Sequence, residues 1–327
     1  MARTDWIPVS IWMLGAGYFA AYILFAGALR LSGAPEAGAF ALFPGFLTGL
    51  AVGAAPCLYL MARRARRLAP QIPALGLDWR TAVSGVATAV IIVTTVFALS
   101  FNDVTVLAAL VMMRGGVLAL GPAIDLANRR AIRPAAWIAF ALSLAAAGLA
   151  LSGSPSLAMP ALVAINLAVY VLAYLVRLSL MTHGAKRPEP GERARWFVRE
   201  ISAAVIVLLL ALGLGMLAPG WGRAVAEGFL NPATLAAGIV VGLGYAAVLT
   251  FGTLIYLDQR ENTFAVPVNR GASLISGVVL SLALHWIAGH AAPSPVVFAG
   301  AALVAAALLV LARFDNQARL AASASRR

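Results

Sequence analysis

Along most of this chain the hydrophobic positions neither alternate nor recur at helical spacing; they run on without interruption. Ten such runs stand between short polar breaks, at about 8–29, 39–62, 80–101, 104–127, 134–152, 157–181, 197–218, 232–257, 263–287 and 294–312. At about 1.5 Å per residue, a helix of that length crosses a hydrocarbon layer of about 30 Å. The runs are continuous rather than dyad-alternating, which excludes a membrane β-barrel. The pattern therefore predicts an all-α polytopic membrane protein with ten transmembrane helices. A further stretch, PGWGRAVAEGFLN at 219–231, reads as a short helix lying along the outer interface. The first run is too long for a secretory signal peptide, lacks a strongly basic leader and has no small-residue cleavage site before the next span.

Charge supplies the topology. Arg63, Arg64, Arg66 and Arg67 follow the second run, and Arg129, Arg130 and Arg133 follow the fourth. Lys186, Arg187, Arg193 and Arg195 follow the sixth, Arg260 the eighth, and Arg313, Arg319, Arg326 and Arg327 the tenth. The intervening loops carry almost only Arg30 and Arg223. Basic residues mark the cytoplasmic side, so every even-numbered span is expected to end inside, with both termini cytoplasmic. The expected location is a bacterial cytoplasmic membrane.

Composition agrees. Hydrophobic residues make up 62% of 327 and charged residues 11%, with a mean hydropathy of +0.92. The formal net charge of +12 sits in loops beside spans, where it orients the chain instead of recruiting nucleic acid. One cysteine, Cys57, inside a span, rules out a disulfide framework, and three histidines do not make a convincing metal centre. No cofactor is expected. The longest loop, 182–196, is too short to fold as a soluble domain, so residues 1–327 are expected to form one membrane domain.

The chain also repeats itself. RGGVLALG at 114–121 returns as RGASLISG at 270–277, an offset of 156 that also sets Asn102-Asp103 against Asp258-Gln259. The fourth span runs inward and the ninth outward, so the repeat is inverted: residues 1–155 and 156–327, five spans each. Inverted repeats are a mark of secondary transporters, whose related halves exchange roles as the site opens to each side.

Ten spans, two inverted five-span halves and inside termini resemble the drug/metabolite transporter superfamily, in its EamA-like branch. The residues that carry the likeness are LALGPAIDL…RPAAWIAFALSLAAAGLAL at 118–151 and FAVPVNRGASLISGVVLSLALHW…VVFAGAALVAAALLVLA at 264–312. The Gly-Glu pair frequent in that family at the ends of these two spans is replaced by Asp125-Leu126-Ala127-Asn128 and Leu284-His285-Trp286. The resemblance implies a transporter of small metabolites.

The candidate site begins with Arg114. It lies mid-span, too deep for its side chain to snorkel to a headgroup, so it must face a partner or a polar cavity. Arg270 is its counterpart in the repeat, seven residues or so from the cytoplasmic edge, with Glu200, Asp258 or Glu261 as possible ion-pair partners. On span six, Asn166, Tyr170 and Tyr174 recur every fourth residue and Arg177 continues that face. Either this stripe lines a pathway, or its groups bind neighbouring backbone and glue helices together. Tyr245 on span eight and Asn269, Ser273 and Ser276 on span nine complete the set, with Tyr18 and Tyr22 on span one. Tyr256 reads as an interfacial-belt aromatic, and Pro267 as a source of freed carbonyls. Gly45, Gly49 and Gly53, with Gly238 and Gly242, are small-xxx-small patterns expected to pack within the bundle, although a homodimer seam has the same signature.

The leading expectation is a secondary transporter of a small anionic or zwitterionic metabolite, and not an enzyme. No G-x-x-x-x-G-K phosphate loop occurs. No mid-membrane carboxylate stands out: Glu200 and Asp258 read as near the inner edge, and His285 and His290 as near the outer one. Facilitated diffusion or exchange is therefore as plausible as proton antiport. The alternatives are a lipid-modifying membrane enzyme, marked by acids converging in one cavity, and a non-transporting membrane subunit.

Overall fold

The structure is a computed structural model that describes residues 9–31, 39–76, 78–98, 106–152, 161–186, 189, 191–218, 221–289 and 294–324. Asn102, Asp103, Arg187, His290, Arg326 and Arg327 lie outside the described residues.

Every regular element among the described residues is helical. In chain order they are α1 (Ile11–Leu31), α2 (Ala39–Leu68), α3 (Trp79–Ala98), α4 (Val106–Ala127), α5 (Pro134–Ser152), α6 (Ala161–Gly184), α7 (Glu192–Leu217), α8 (Trp221–Leu230), α9 (Pro232–Tyr256), α10 (Asn262–Ala288) and α11 (Pro295–Ala324). Among the described residues, eight helices are long and apolar enough to cross a membrane: α1, α2, α3, α6, α7, α9, α10 and α11. The chain is thus a multi-pass helical membrane protein. The short α8 falls where the sequence placed an interfacial helix. Pro267 sits inside α10, which runs on through it.

The helices assort into two compact units, and neither unit is one sequence half. The first comprises residues 1–106 and 160–259; the second, 107–159 and 260–327.

In the first unit, α9 packs on both α2 and α1, α3 packs on α6 and α7, and α2 also packs on α7. Glycine sets the closeness of the α2–α9 seam. A Cβ on Gly49 would lie 2.1 Å from the Ile239 carbonyl oxygen, one on Gly238 2.6 Å from that of Leu42, and one on Gly242 2.1 Å from that of Phe46. Backbone meets backbone from both sides, which only residues without a side chain permit. The small-residue pattern is therefore an internal seam. Across the α3–α7 contact, a Cβ on Gly85 would meet Ala203 at 2.5 Å.

In the second unit, α11 packs on α5 and α10, and α10 on α5. At its α5–α11 contact the glycine leaves room: a Cβ on Gly300 would stand 3.5 Å from the Ala146 oxygen, an ordinary contact.

Candidate functional site

In the first unit the polar face of α6 turns inward. Tyr170, Tyr174 and Arg177 are all buried. Arg177 meets Glu200 of α7, with Nε donating to Oε1 at 2.5 Å, and its Nη2 donates to Thr253 Oγ1 of α9 at 2.8 Å. Thr88 Oγ1 of α3 donates to Glu200 Oε1 at 2.7 Å, and Trp196 Nε1 to Oε2 at 2.7 Å. The Tyr256 ring lies 5.8 Å from the Arg177 guanidinium. One acid and one base thus tie α3, α6, α7 and α9 together, with Arg177 3% and Glu200 0% exposed.

Local sequence builds this clasp. Trp196 and Glu200 stand one turn apart on α7, so the indole reaches the carboxylate from its own helix. Gly184 at the end of α6 leaves room for that indole; a Cβ there would lie 2.1 Å from the Trp196 ring. The tight α3–α7 crossing at Gly85 brings Thr88 within reach.

Around the clasp runs an aromatic cluster. Tyr170 and Tyr174 are 4.9 Å apart, and Tyr174 and Tyr256 6.2 Å. Tyr245 packs at 5.0 Å on Phe25 and 5.5 Å on Phe46, and its hydroxyl bonds the Thr95 side chain. Tyr18 and Tyr22 lie 6.0 Å apart on α1.

Several expectations change. Glu200 stands about 12 Å along α7 from Glu192, with no exposed surface. Its partner is Arg177, and Glu261 is held by Arg133 at 2.6 Å, so neither acid is set aside for Arg270. Tyr256 is 1% exposed and belongs to the core, not to a lipid-facing belt. Asn166 donates to the Thr94 carbonyl of α3 at 3.1 Å, a bond between helices. Sequence reasoning underrated Glu200 because its depth depends on where α7 starts and on what covers it. The signal available was the pairing of one intraspan acid with one intraspan base.

The second unit holds the other candidates. Arg114 and Arg270 are 3% and 4% exposed, and Asn269 is buried beside Arg270. A Cβ on Gly277 would lie 3.9 Å from Arg114 Nη1. Gly277 follows Arg270 by seven residues, which places both on one face of α10, about 10 Å apart along its axis. Ser273 Oγ donates to the Arg270 carbonyl and Ser276 Oγ to that of Ser273, each at 2.9 Å, so both hydroxyls fold back on their own helix. Asp125, wholly buried at the end of α4, accepts from Asn262 Nδ2 at 3.0 Å and from Thr263 N and Oγ1 at 2.7 Å each. It caps the start of α10, where a carboxylate satisfies the free N–H groups and the helix dipole. Close by, Arg133 pairs with Glu261, Arg260 pairs with Asp315 at 3.2 Å, and both guanidinium groups lie over the Phe264 ring at 4.8 and 5.0 Å.

The structure thus divides the sequence-derived set. Asn166, Tyr170, Tyr174 and Tyr245 belong to the first unit, and Arg114, Asn269, Arg270 and Ser273 to the second.

No family model matches the chain, and no curated protein does. Solved structures do, 27 chains in all. One, a crystal structure of a protein, shares 18% identity at a TM-score of 0.58, over 93% of this chain and 97% of its own. At that identity the likeness concerns the fold alone, and it extends over nearly the whole length: this multi-pass helical chain has a fold already seen in crystals.

Proposed function

We propose that this protein is a secondary transporter of a small anionic or zwitterionic metabolite, built of ten spans in two inverted five-helix repeats and working by alternating access. The spans are α1 to α7 and α9 to α11. The observation that carries this reading is the pattern of helix pairing within the units. Span 1 packs on span 8 as span 6 packs on span 3; span 2 packs on span 8 as span 7 packs on span 3. Spans 2 and 7 pair with each other, as do spans 5 and 10. Advancing every member by five reproduces these pairs, as a two-fold relation between the halves requires. Each unit takes equally numbered spans from both halves, the arrangement in which repeats trade conformations around a fixed site.

The loops support the topology. In the first unit, Arg199 of α7 donates to the Pro73 carbonyl at 2.9 Å, and Gly191 lies against Ala65 and Leu68, so the loops after spans 2 and 6 share one end. In the second, Arg133, Glu261 and Asp315 gather the ends of spans 4, 9 and 10. These are the basic loops, cytoplasmic by the positive-inside rule, in keeping with a bacterial inner-membrane protein and the EamA-like resemblance.

The deep arginines give the substrate its sign. Arg114 and Arg270 are two cations at matching positions of the repeat, inside helices where charge is otherwise costly. The buried carboxylates favour transport over lipid chemistry: Glu200 is held in an ion pair and Asp125 in a helix cap. Purified protein in liposomes, offered labelled amino acids, organic acids, phosphorylated metabolites and organic cations, tests the reading. Saturable uptake of an anion or zwitterion is the expected result; uptake of cations alone, or none, would sink it.

A further inference from the structure

The last turns of α2 carry a feature that the transport reading leaves unused. This helix has 30 residues, about 45 Å at 1.5 Å per residue, against a hydrocarbon layer of about 30 Å. Its later part is lipid-facing: Val52, Tyr59 and Leu60 are 62%, 61% and 57% exposed. Beyond them come Arg63, Arg66 and Arg67, all exposed. With Tyr59 they line a shallow recess of about 400 Å³. Their spacing, i, i+4, i+7 and i+8, puts all four on one face of the helix.

Two observations separate this face from the other basic ends. First, the ends after spans 4, 6 and 8 each hold an arginine paired with an acid of the chain. Arg133 has Glu261 at 2.6 Å, Arg195 has Glu192 at 2.8 Å, and Arg260 has Asp315 at 3.2 Å. Among the described residues no carboxylate pairs with Arg63, Arg66 or Arg67; Arg66 Nε makes only a long bond to the Ala62 carbonyl, at 3.5 Å. Their counter-charge comes from outside the chain. Second, depth selects the source. Tyr59 lies between the apolar stretch of α2 and its arginines, and an aromatic ring is the side chain that collects at the boundary of the hydrocarbon. Arg63 and Arg67 follow at about 6 and 12 Å along the axis, the depth of the headgroup layer. A guanidinium there meets lipid phosphate, which it binds through two parallel hydrogen bonds.

We infer that the Tyr59–Arg67 face of α2 is a binding site for the phosphate of an anionic phospholipid, in the leaflet that surrounds that end of the helix. The inference stands apart from the transport reading and survives its failure. Three guanidinium groups in one recess exceed the charge of a zwitterionic lipid, so phosphatidylglycerol is bound and phosphatidylcholine is not. Exposed Leu60 stands next to Tyr59, so that acyl chains continue along the apolar face of α2.

The test uses the full chain in detergent and native mass spectrometry, titrating phosphatidylglycerol, phosphatidylcholine and inorganic phosphate. Wild-type protein is expected to retain phosphatidylglycerol selectively, and inorganic phosphate is not expected to displace it. R63Q/R67Q should bind phosphatidylglycerol about 30-fold more weakly, the effect of two basic residues lost at an anionic surface. The matched variant R129Q/R313Q removes two exposed arginines elsewhere and should retain wild-type binding. Equal retention of both lipids overturns the inference, as does equal loss in the two double variants. Undiminished binding by R63Q/R67Q also overturns it, and displacement by inorganic phosphate would make the ligand a soluble anion instead.

Discussion

The two units treat buried charge in opposite ways. In the first, acid and base meet in the interior: Arg177 and Glu200 are joined to each other and to Thr88, Trp196 and Thr253. In the second, the ion pairs lie where helices end, around Phe264, while the deeper positions on α4 and α10 are taken by arginines. The first arrangement is electrically closed and binds four helices into one body. The second buries its arginines within two helices, and a guanidinium in that setting is suited to charge-assisted bonds with an anion. Scaffold and recognition therefore fall to different units in this reading. The glycines follow the same division, with backbone-to-backbone contact along α2–α9 and ordinary contact at Gly300.

The largest effect is expected at the clasp. Glu200→Ala leaves the Arg177 cation buried without its acid, which costs roughly 3–5 kcal/mol. Thermal unfolding in detergent should show this, and R177M/E200L should recover most of it, because apolar residues of similar volume replace a buried pair at little cost. If the double variant is no better than the single, the clasp does more than balance charge.

Next is Arg114→Ala, with which the second unit is tested. Uptake is expected to fall about 100-fold, equivalent to about 2.7 kcal/mol, while the melting temperature stays close to that of wild type. Arg114→Lys should also transport poorly, since a point charge does not reproduce bidentate contact. A melting loss in step with the activity loss would assign Arg114 to structure and erase the contrast between the units.

Packing is expected to respond more modestly. Gly242→Ala drives a methyl against the Phe46 carbonyl and should cost about 1–3 kcal/mol, whereas Gly300→Ala should be nearly neutral. Equal melting shifts would mean the two seams are alike. The smallest effect belongs to Asn166→Ala, which removes one interhelical hydrogen bond and should cost about 0.6 kcal/mol, the usual worth of such a bond in a membrane protein. A loss of uptake far beyond that would return Asn166 to the pathway.

Much of this protein was legible in the sequence. Continuous apolar runs fix helix positions because a bilayer interior leaves backbone groups no partner outside their own helix. The expected runs and the observed helices therefore coincide closely, down to the short α8. The glycine series announced the close α2–α9 seam. What the sequence did not decide is which polar groups meet. Nothing in the order of residues says that Glu200 faces Arg177 rather than Arg270, that Tyr256 lies inside, or that Asn166 reaches the α3 backbone. Nor did it show that the two halves interleave into units that cut across both. These are questions of rotation and neighbour choice, and uniformly apolar helices carry little amphipathic signal to orient them. Side-chain partners across helices are fixed only when tertiary packing sets the rotation of each helix, because every buried polar group must then find its complement among the few faces turned toward it.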